Sequence, residues 1–325
     1  MIVSPALAAA NNGNWQTARR WARFLGANYR TRITQHWPDG AACADDRVML
    51  ALHARHSADS VAAWAQAHPG RGLAVVLTGT DLYRDIAVDA AAQQSLARAQ
   101  RLVVLQTLGV QSLPAPHQAK ARAIFQSVAT RQTLPKTTRH LRVVMVGHLR
   151  AEKSPQTLFE AAHLLQDDPR ILIDHIGQAS DPTLGLQARA TAAACPNYRW
   201  LGGLPHAATR AHIQRAHLLV HTSAMEGGAH VVMEAVCSGT PVLASRIEGN
   251  VGMLGGDYAG YFDWGDAQGL TSLLRICAAG LTPNPHSHLL STLQAQCARR
   301  APLFAPQAEQ AALRKLVDEL TQDSP

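Results

Sequence analysis

The most informative segment of the chain has two glutamates that flank a pair of glycines. Glu226 precedes Gly227 and Gly228, and Glu234 follows within a stretch of helical character. The free N–H groups and the positive dipole end at a helix start favour phosphate, and glycines let a ligand approach the backbone. A nucleotide-sugar has hydroxyls at both ends and phosphates between them. The pattern therefore predicts a nucleotide-sugar site, although Glu-x7-Glu spacings also arise by chance.

A second loop carries two cations at the end of an apolar run. In V-M-V-G-H-L-R-A-E-K-S-P a strand is expected to end at Gly147, and Arg150 and Lys153 follow it. Two cations at the carboxyl end of a strand can neutralise a diphosphate and stabilise it as a leaving group. By themselves they would be read as two surface charges. His148 can add a hydrogen bond, but the sequence does not give its charge.

Polar groups also follow several strands that the first half of the chain predicts. The turn N-N-G-N-W before a helix, the segment L-H-A-R-H-S and the turn T-G-T-D offer anion or acceptor contacts. Asp81 could act as a base or orient an acceptor, or it could serve only the turn. The candidate acceptor residues are Asn11, Asn12, Gly13, Asn14, Arg55, Thr80, Asp81 and Arg84.

Short apolar runs alternate with helix-like segments, which predicts parallel sheets with helices on both faces. The alternation is interrupted at Thr130–His140, a polar stretch without apolar periodicity that resembles an interdomain linker. We therefore predict an α/β protein with two Rossmann-like domains facing a central cleft. The predicted parts are residues 1–130, residues 141–305, and a helix over 306–325 that could cross back to the first domain.

Composition narrows the class of protein. The chain has 325 residues, 47% hydrophobic and 16% charged, with a formal net charge of +7. The basic residues are scattered and no recognition motif accompanies them, so nucleic acid is not expected as a partner. No apolar stretch approaches the ~20 residues needed to cross a bilayer. An odd number of cysteines, five, without a C-x-x-C pair favours a reduced compartment, and we predict the cytoplasm.

Motifs for metals and other nucleotides are missing from the sequence. There is no D-x-D, no G-x-x-x-x-G-K-[ST] loop and no G-x-G-x-x-G. His286-x-His288 could hold a metal, but the prolines around it and the lack of a third ligand at motif spacing favour a solvated loop. We expect no metal and no cofactor, with small molecules as substrates. Protein partners remain open.

The glutamate segment resembles the Glu-x7-Glu region of family 4 glycosyltransferases, which have the GT-B fold. The resemblance implies that Glu226 lies against the donor sugar and that Glu234 binds the ribose hydroxyls. It places the backbone amides of His230 and Val231 at the diphosphate, with Gly228 and Ala229 near the sugar. In the family pattern Gly-Arg-x-x-x-x-Lys, the lysine matches Lys153, but His148 stands at the arginine. The implied catalytic residues are Glu226, Arg150 and Lys153, and His148 joins the donor site.

A closer resemblance spans nearly the whole chain. The segments Pro5–Trp15, Ala51–Ser57, Leu77–Ile86, Val146–Pro155 and Glu248–Phe262 are similar to the selenosugar synthases of bacterial selenoneine biosynthesis. The resemblance implies UDP-N-acetylglucosamine as donor and selenophosphate as acceptor, with release of UDP and phosphate. It also implies that a histidine at position 148 is usual among the selenosugar synthases.

Three other functions remain open at this point. The chain could be an ordinary glycosyltransferase acting on a carbohydrate or small metabolite. It could be a GT-B isomerase or hydrolase that cleaves a UDP-sugar without an acceptor. It could also be a non-catalytic two-domain binding protein, against which the combination of Glu226, Glu234 and Lys153 argues.

Overall fold

A computed structural model describes residues 1–7, 13–281 and 288–322 of the chain. Contacts within the chain divide it into two compact units. Unit 1 comprises Met1–Ser127, Glu226–Gly228 and Pro306–Pro325, and unit 2 comprises Val128–Met225 and Ala229–Ala305. Each unit has its own six-stranded sheet.

Unit 1 begins with alternating strands and helices. Its strands are β1 (Ile2–Val3), β2 (Ile33–Thr34), β3 (Met49–Leu52), β4 (Leu73–Val76), β5 (Arg101–Val104) and β6 (Ala121–Ala123). Its helices are α1 (Gly13–Leu25), α2 (Ala58–Ala67), α3 (Ile86–Val88), α4 (Ala90–Arg98) and α5 (Ala115–Gln118). The strands pair in parallel in the order β2-β1-β3-β4-β5-β6, as the alternation predicts.

Unit 2 repeats this plan. Its strands are β7 (Leu141–Val146), β8 (Ile171–Ile176), β9 (Tyr198–Trp200), β10 (Leu218–His221), β11 (Val242–Ser245) and β12 (Tyr261–Phe262). Its helices are α6 (Gln156–Leu164), α7 (Pro182–Ala194), α8 (His206–Arg215), α9 (His230–Val236), α10 (Glu248–Leu254), α11 (Ala267–Ala279) and α12 (Leu289–Arg300). The parallel order is β12-β11-β10-β7-β8-β9.

The last helix, α13 (Pro306–Gln322), belongs to unit 1. Successive residues of β3 point to opposite faces of the sheet, so Met49 and Leu50 belong to different hydrophobic clusters. The cluster on the Leu50 side is completed by the apolar face of α13. Four buried residues of that face take part: Leu313, Leu316, Val317 and Leu320.

One local expectation from the sequence is wrong. The apolar run Ile124–Val128 predicts a strand, but β6 ends before it. Ser127 instead donates its backbone N–H to the Glu309 carboxylate, and Val128 donates to the carbonyl of Phe304. A serine before an apolar helical stretch predicts an N-cap. Ser57 does occupy the N-cap position of α2, but its hydroxyl donates to the Leu52 carbonyl at 2.7 Å and does not cap the helix.

No helix in the described ranges is both long enough and apolar enough to cross a membrane. All five cysteines are free thiols, and four of them are buried.

Candidate active site

Each sheet has a point at which its strand order reverses, and ligands of open α/β sheets bind outside the carboxyl ends of the strands there. In unit 2 the reversal lies between β7 and β10. In unit 1 it lies between β1 and β3. The loop after β7 carries Arg150 and Lys153, and the segment after β10 leads to α9 with Glu234. The predicted donor residues of unit 2 therefore follow the two strands that form its switch point.

The loop after β7 is fixed by contact with the loop after β8. Gly177 approaches Gly147 so closely that an added Cβ would lie 1.9 Å from the Gly147 carbonyl oxygen. Leu149 forms a parallel bridge with Ala179 and donates its N–H to the Gln178 carbonyl at 2.8 Å. Only a residue without a side chain fits at position 177, and the spacing of the two strand ends depends on it.

The same loop is also bonded to residues that follow β10 and β12. The Thr222 hydroxyl donates to the Lys153 carbonyl at 2.7 Å, and the Ala224 N–H donates to the Glu152 carbonyl at 2.9 Å. The indole N–H of Trp264 donates to the Ser154 hydroxyl at 2.9 Å. Ser154 has a left-handed backbone with φ of 44°, a strained conformation held by these neighbours.

Lys153 and Arg150 differ in how firmly they are held. The aliphatic part of Lys153 passes over Gly147, where its carbons lie 3.5 Å from the position of an added Cβ. Arg150 is exposed, and its Nε lies 4.0 Å from Glu152 Oε2. Lys153 is thus packed along the backbone at the end of β7, whereas Arg150 extends into solvent and can adjust to a ligand.

Glu234 is a buried carboxylate surrounded by nitrogen donors. Its Oε1 lies 2.6 Å from His206 Nε2, 3.5 Å from an Arg210 nitrogen and 3.8 Å from His230 Nδ1. Burial opposes ionisation of Glu234, but the imidazoles of His230 and His206 favour it, and its pKa is lower than usual. Glu234 is therefore an anion suited to accept hydrogen bonds, and a ligand hydroxyl at Oε1 would have to share or replace His206.

The other residues that the resemblance assigns to the donor lie around the start of α9. Glu226 and Gly228 are half-buried and group with unit 1 by their contacts. Ala229 is buried, and its N–H donates to the sulfur of Met253, so that amide is already engaged. His230 and Val231 open α9, which has only seven residues.

The carboxyl edge of the unit 1 sheet holds a buried cluster of His53, Asp81 and Asp85. His53 follows β3 with a left-handed φ of 74°. Its Nδ1 lies 3.3 Å from Asp81 Oδ1, and its Nε2 lies 3.8 Å from Asp85 Oδ2. Asp81 Oδ2 accepts the Ala54 N–H at 2.7 Å, whereas Oδ1 is buried without a hydrogen-bond partner. Asp81 thus shapes the turn after β3 and is closed to solvent.

Burial controls the charge of this cluster. It raises the pKa of Asp81 to about 7. It also lowers the pKa of His53 to about 4, and the nearby His56 adds to that effect. We therefore take His53 as neutral near pH 7, with Asp81 close to half-protonated. Three ligand atoms, one from each of His53, Asp81 and Asp85, lie close enough together to hold a metal ion.

The predicted acceptor cations already have acidic partners. Arg55 lies 3.2 Å from Asp89, and Arg84 lies 3.1 Å from Asp85. Both side chains are about half exposed, so these pairs are weak and exchangeable. Thr80 is half-buried at the start of the turn that contains Asp81.

The predicted loop after β1 is described only in part. Gly13 is exposed at the first position of α1 with open space around it, and Asn14 is half-buried. Asn11 and Asn12 lie outside the described residues, as does His286.

Residues 128–263 match the family model described as "Glycosyl transferases group 1". This range contains β7 to β12 and both halves of the switch point of unit 2. This part of the chain is similar to the group 1 glycosyltransferases. The match confirms the enzyme class that the sequence predicts for this part of the chain, and it includes Lys153 and Glu234.

Solved structures share the fold over most of the chain. Sucrose-phosphate synthase from Thermosynechococcus elongatus has a TM-score of 0.72 at 16% identity, over 96% of this chain and 94% of that chain. HepE from Anabaena, in complex with UDP, has a TM-score of 0.67 at 17% identity, over 86% and 80%. Staphylococcus aureus TarM, in complex with α-GlcNAc-glycerol and UDP, has a TM-score of 0.59 at 14% identity, over 83% and 55%. This chain therefore spans just over half of TarM. These likenesses confirm the predicted GT-B fold class.

Sequence reasoning missed several residues around the candidate donor site. His206 and Arg210 lie on one helix, α8, and both reach the Glu234 carboxylate. Trp264 follows β12, yet its indole N–H bonds to the loop after β7. No local motif marks these residues, and only the order of the strands brings them to one edge.

Proposed function

We propose that this protein is a nucleotide-sugar-dependent glycosyltransferase whose unit 2 binds the donor. One observation carries the proposal: the group 1 glycosyltransferase match covers a switch point where Lys153 follows β7 and an ionised Glu234 follows β10. A cation for phosphate and a carboxylate for hydroxyls are what the two parts of a nucleoside diphosphate need.

In this mechanism the bond between the sugar's first carbon and the diphosphate oxygen breaks, and the nucleoside diphosphate leaves with the electron pair. Lys153 and Arg150 stabilise the negative charge that develops on the leaving group. Glu234 holds the ribose hydroxyls and so fixes the position of the reacting carbon. These side chains supply the charge stabilisation, so we expect transfer to proceed in excess chelator.

The finer proposal is that the donor is UDP-N-acetylglucosamine and the acceptor is selenophosphate. It rests on the resemblance of the five segments named above to the selenosugar synthases. HepE and TarM were each solved with UDP, which makes a uridine donor a reasonable first choice. Selenium would attack the first carbon of the sugar as UDP leaves. Attack of water on phosphorus would then break the selenium–phosphorus bond and release phosphate and a 1-selenosugar.

The donor half is tested by calorimetric titration with UDP. Replacing Glu234 by Ala removes a charge-assisted contact worth about 1.5–3 kcal/mol, so UDP binding should weaken roughly tenfold or more. Glu234→Gln removes the charge but keeps the shape of the side chain. It therefore tests the same contact in case Glu234→Ala fails to fold. Glu160→Ala, an exposed position on α6, is the matched control. An unchanged dissociation constant in both Glu234 variants would remove this residue from the site.

The acceptor half is tested by mass spectrometry of the products from UDP-N-acetylglucosamine. A selenium-bearing sugar formed with selenophosphate, with one UDP released per sugar, supports the finer assignment. Transfer to a hydroxyl acceptor without any selenosugar supports an ordinary glycosyltransferase. UDP released equally with and without an acceptor supports a hydrolase or isomerase.

A further inference from the structure

A buried arginine accompanies the carboxylate that we assign to the donor ribose. Arg210 of α8 is buried, and its Nη1 lies 3.5 Å from Oε1 of Glu234. Its Nη2 donates to the carbonyl of Ala129 at 3.0 Å, so the guanidinium is anchored to backbone outside α9. Within the described residues its Nε–H has no hydrogen-bond partner. Because burying a guanidinium with an unused donor costs free energy, its place beside Glu234 needs another explanation.

Arg210 also reaches the main chain of the glutamate through a serine. Its Nη2 donates at 3.4 Å to the hydroxyl of Ser238, which in turn donates to the Glu234 carbonyl at 2.7 Å. Ser238 is fully buried. The guanidinium therefore acts on Glu234 at the carboxylate and, through Ser238, at the backbone, and both contacts fix where that carboxylate lies.

The imidazoles around Glu234 are held less firmly than this arginine. The side chains of His206 and His230 are 75% and 42% exposed, whereas that of Arg210 is 5% exposed. A ribose hydroxyl that binds Oε1 has to share or replace His206, which lies 2.6 Å from that atom. Arg210 cannot give way in the same manner, because it is enclosed and bonded to Ala129.

The charge of Arg210 affects how tightly Glu234 binds a hydroxyl. A hydroxyl donates a stronger hydrogen bond to an ionised carboxylate than to a neutral carboxyl group. Burial opposes the ionisation of Glu234, but the imidazoles of His230 and His206 and the charge of Arg210 favour it, and the pKa of Glu234 is lower than usual. A guanidinium stays protonated near neutral pH. When a hydroxyl takes the place of His206, Arg210 is therefore the fixed charge that keeps Glu234 ionised.

We propose that Arg210 is a positioning residue of the donor site, which holds the Glu234 carboxylate ionised and in place for the ribose hydroxyls. This inference rests on the proposed function, and it assigns a role to a residue that acts on the ligand only through Glu234. Because the guanidinium is fixed before the ligand arrives, the ribose meets a carboxylate that is already oriented.

The test uses calorimetric titration with UDP and with its 2′,3′-dideoxy analogue, which lacks both ribose hydroxyls. Arg210→Met removes the charge and keeps much of the side-chain volume, whereas Arg210→Lys keeps the charge. We expect Arg210→Met to weaken UDP binding about tenfold and Arg210→Lys to weaken it by no more than about threefold. The dideoxy analogue has no hydroxyl for Glu234, so it should bind both variants like the wild type. Arg215→Met, at the exposed last residue of α8, is the matched control.

The comparison of the two ligands separates positioning from a structural role. An equal loss of both ligands in Arg210→Met would mean that the substitution damages the site as a whole, and it would overturn the inference. Unchanged UDP binding by that variant would overturn it as well. If Arg210→Met does not fold, Arg210→Gln supplies a second uncharged side chain, and UDP binding by Arg210→Gln as tight as by Arg210→Lys would have the same consequence.

Failure of the proposed function would look different. Wild-type protein that does not bind UDP, or that binds UDP and the dideoxy analogue equally, would remove the ribose assignment of Glu234 and this inference with it. Wild-type protein that prefers UDP to the analogue, with the same preference in Arg210→Met and Arg210→Gln, would overturn this inference alone.

Discussion

Replacing Glu309 should destabilise unit 1 more than any surface change on the same helix. The residue is 1% exposed, and its two oxygens accept five hydrogen bonds. Arg20 donates two, at 2.8 and 3.0 Å, and the Trp21 indole donates one at 2.7 Å. Ser127 donates its N–H at 2.8 Å and its hydroxyl at 2.5 Å. Glu309 thus joins α13 to α1 and to Ser127, the last residue of the first segment of unit 1.

The size of the effect follows from what Glu309→Ala leaves behind. Five bonds to a charged group, at about 1.5–3 kcal/mol each, would sum to an unrealistic total, because they share two oxygens and are not additive. Breaking a buried ion pair by removing one partner costs about 3–5 kcal/mol, which is the better measure. Losses of that size lower a melting temperature by on the order of 10 °C in a unit of this size.

Urea unfolding followed by tryptophan fluorescence measures this loss, since Trp21 contacts Glu309 directly. The matched control is Glu319→Ala on the same helix. Glu319 pairs with Arg101 at 3.0 Å and Arg122 at 3.4 Å, but its side chain is 23% exposed, so the expected cost is about 0–1 kcal/mol. A loss at Glu309 no greater than that at Glu319 would refute the reasoning.

Two further predictions concern unit 2. Burial lowers the pKa of His175 to about 4, below its unfolded value near 6.5. Because the unfolded chain binds the extra proton, stability should fall as pH drops from about 6.5 to 4, by up to about 3 kcal/mol, and His175→Asn should flatten that slope in urea titrations. Gly177→Ala should weaken UDP binding at least tenfold, because its Cβ would displace the loop at Gly147. Gly256→Ala, in open space, should bind UDP normally. Steeper acid loss in His175→Asn, or normal UDP binding by Gly177→Ala, would contradict these arguments.

The architecture could be predicted because most of the strands are short runs in which apolar residues predominate. The sequence predicts strands at Leu141–Val146, Ile171–Ile176 and Tyr198–Trp200, and these are the observed bounds of β7, β8 and β9. In a parallel sheet covered on both faces, both sides of a strand are apolar, and such runs are visible without any partner. The run at Ile124–Val128 was misleading because Ile124 and Val128 are buried like strand residues, whereas only the Ile124 amide bonds to the neighbouring strand and the amides of Ser127 and Val128 bond elsewhere.

The site was predictable only where chemistry is local in sequence. Arg150 and Lys153 lie three residues apart in one loop, so one motif reveals both. The His206 imidazole and the Arg210 guanidinium, which contact the Glu234 carboxylate, both lie on α8. Their contact with Glu234 depends on the order of the strands in the sheet. Asp81 stood out as a candidate by its turn, but sequence could not show that its carboxylate would be closed to solvent.

The unit 1 edge bears directly on the choice of acceptor. An anionic acceptor such as selenophosphate needs a net positive pocket, yet Arg55 and Arg84 each contact an aspartate there. Because both arginines are about half exposed, they can leave those partners at little cost. Asp81 carries less negative charge near pH 7 than an aspartate usually does, because burial raises its pKa to about 7. The cluster is therefore less repulsive to an anion than its composition indicates, and exchange of the two arginines between aspartate and substrate would be the step that admits one.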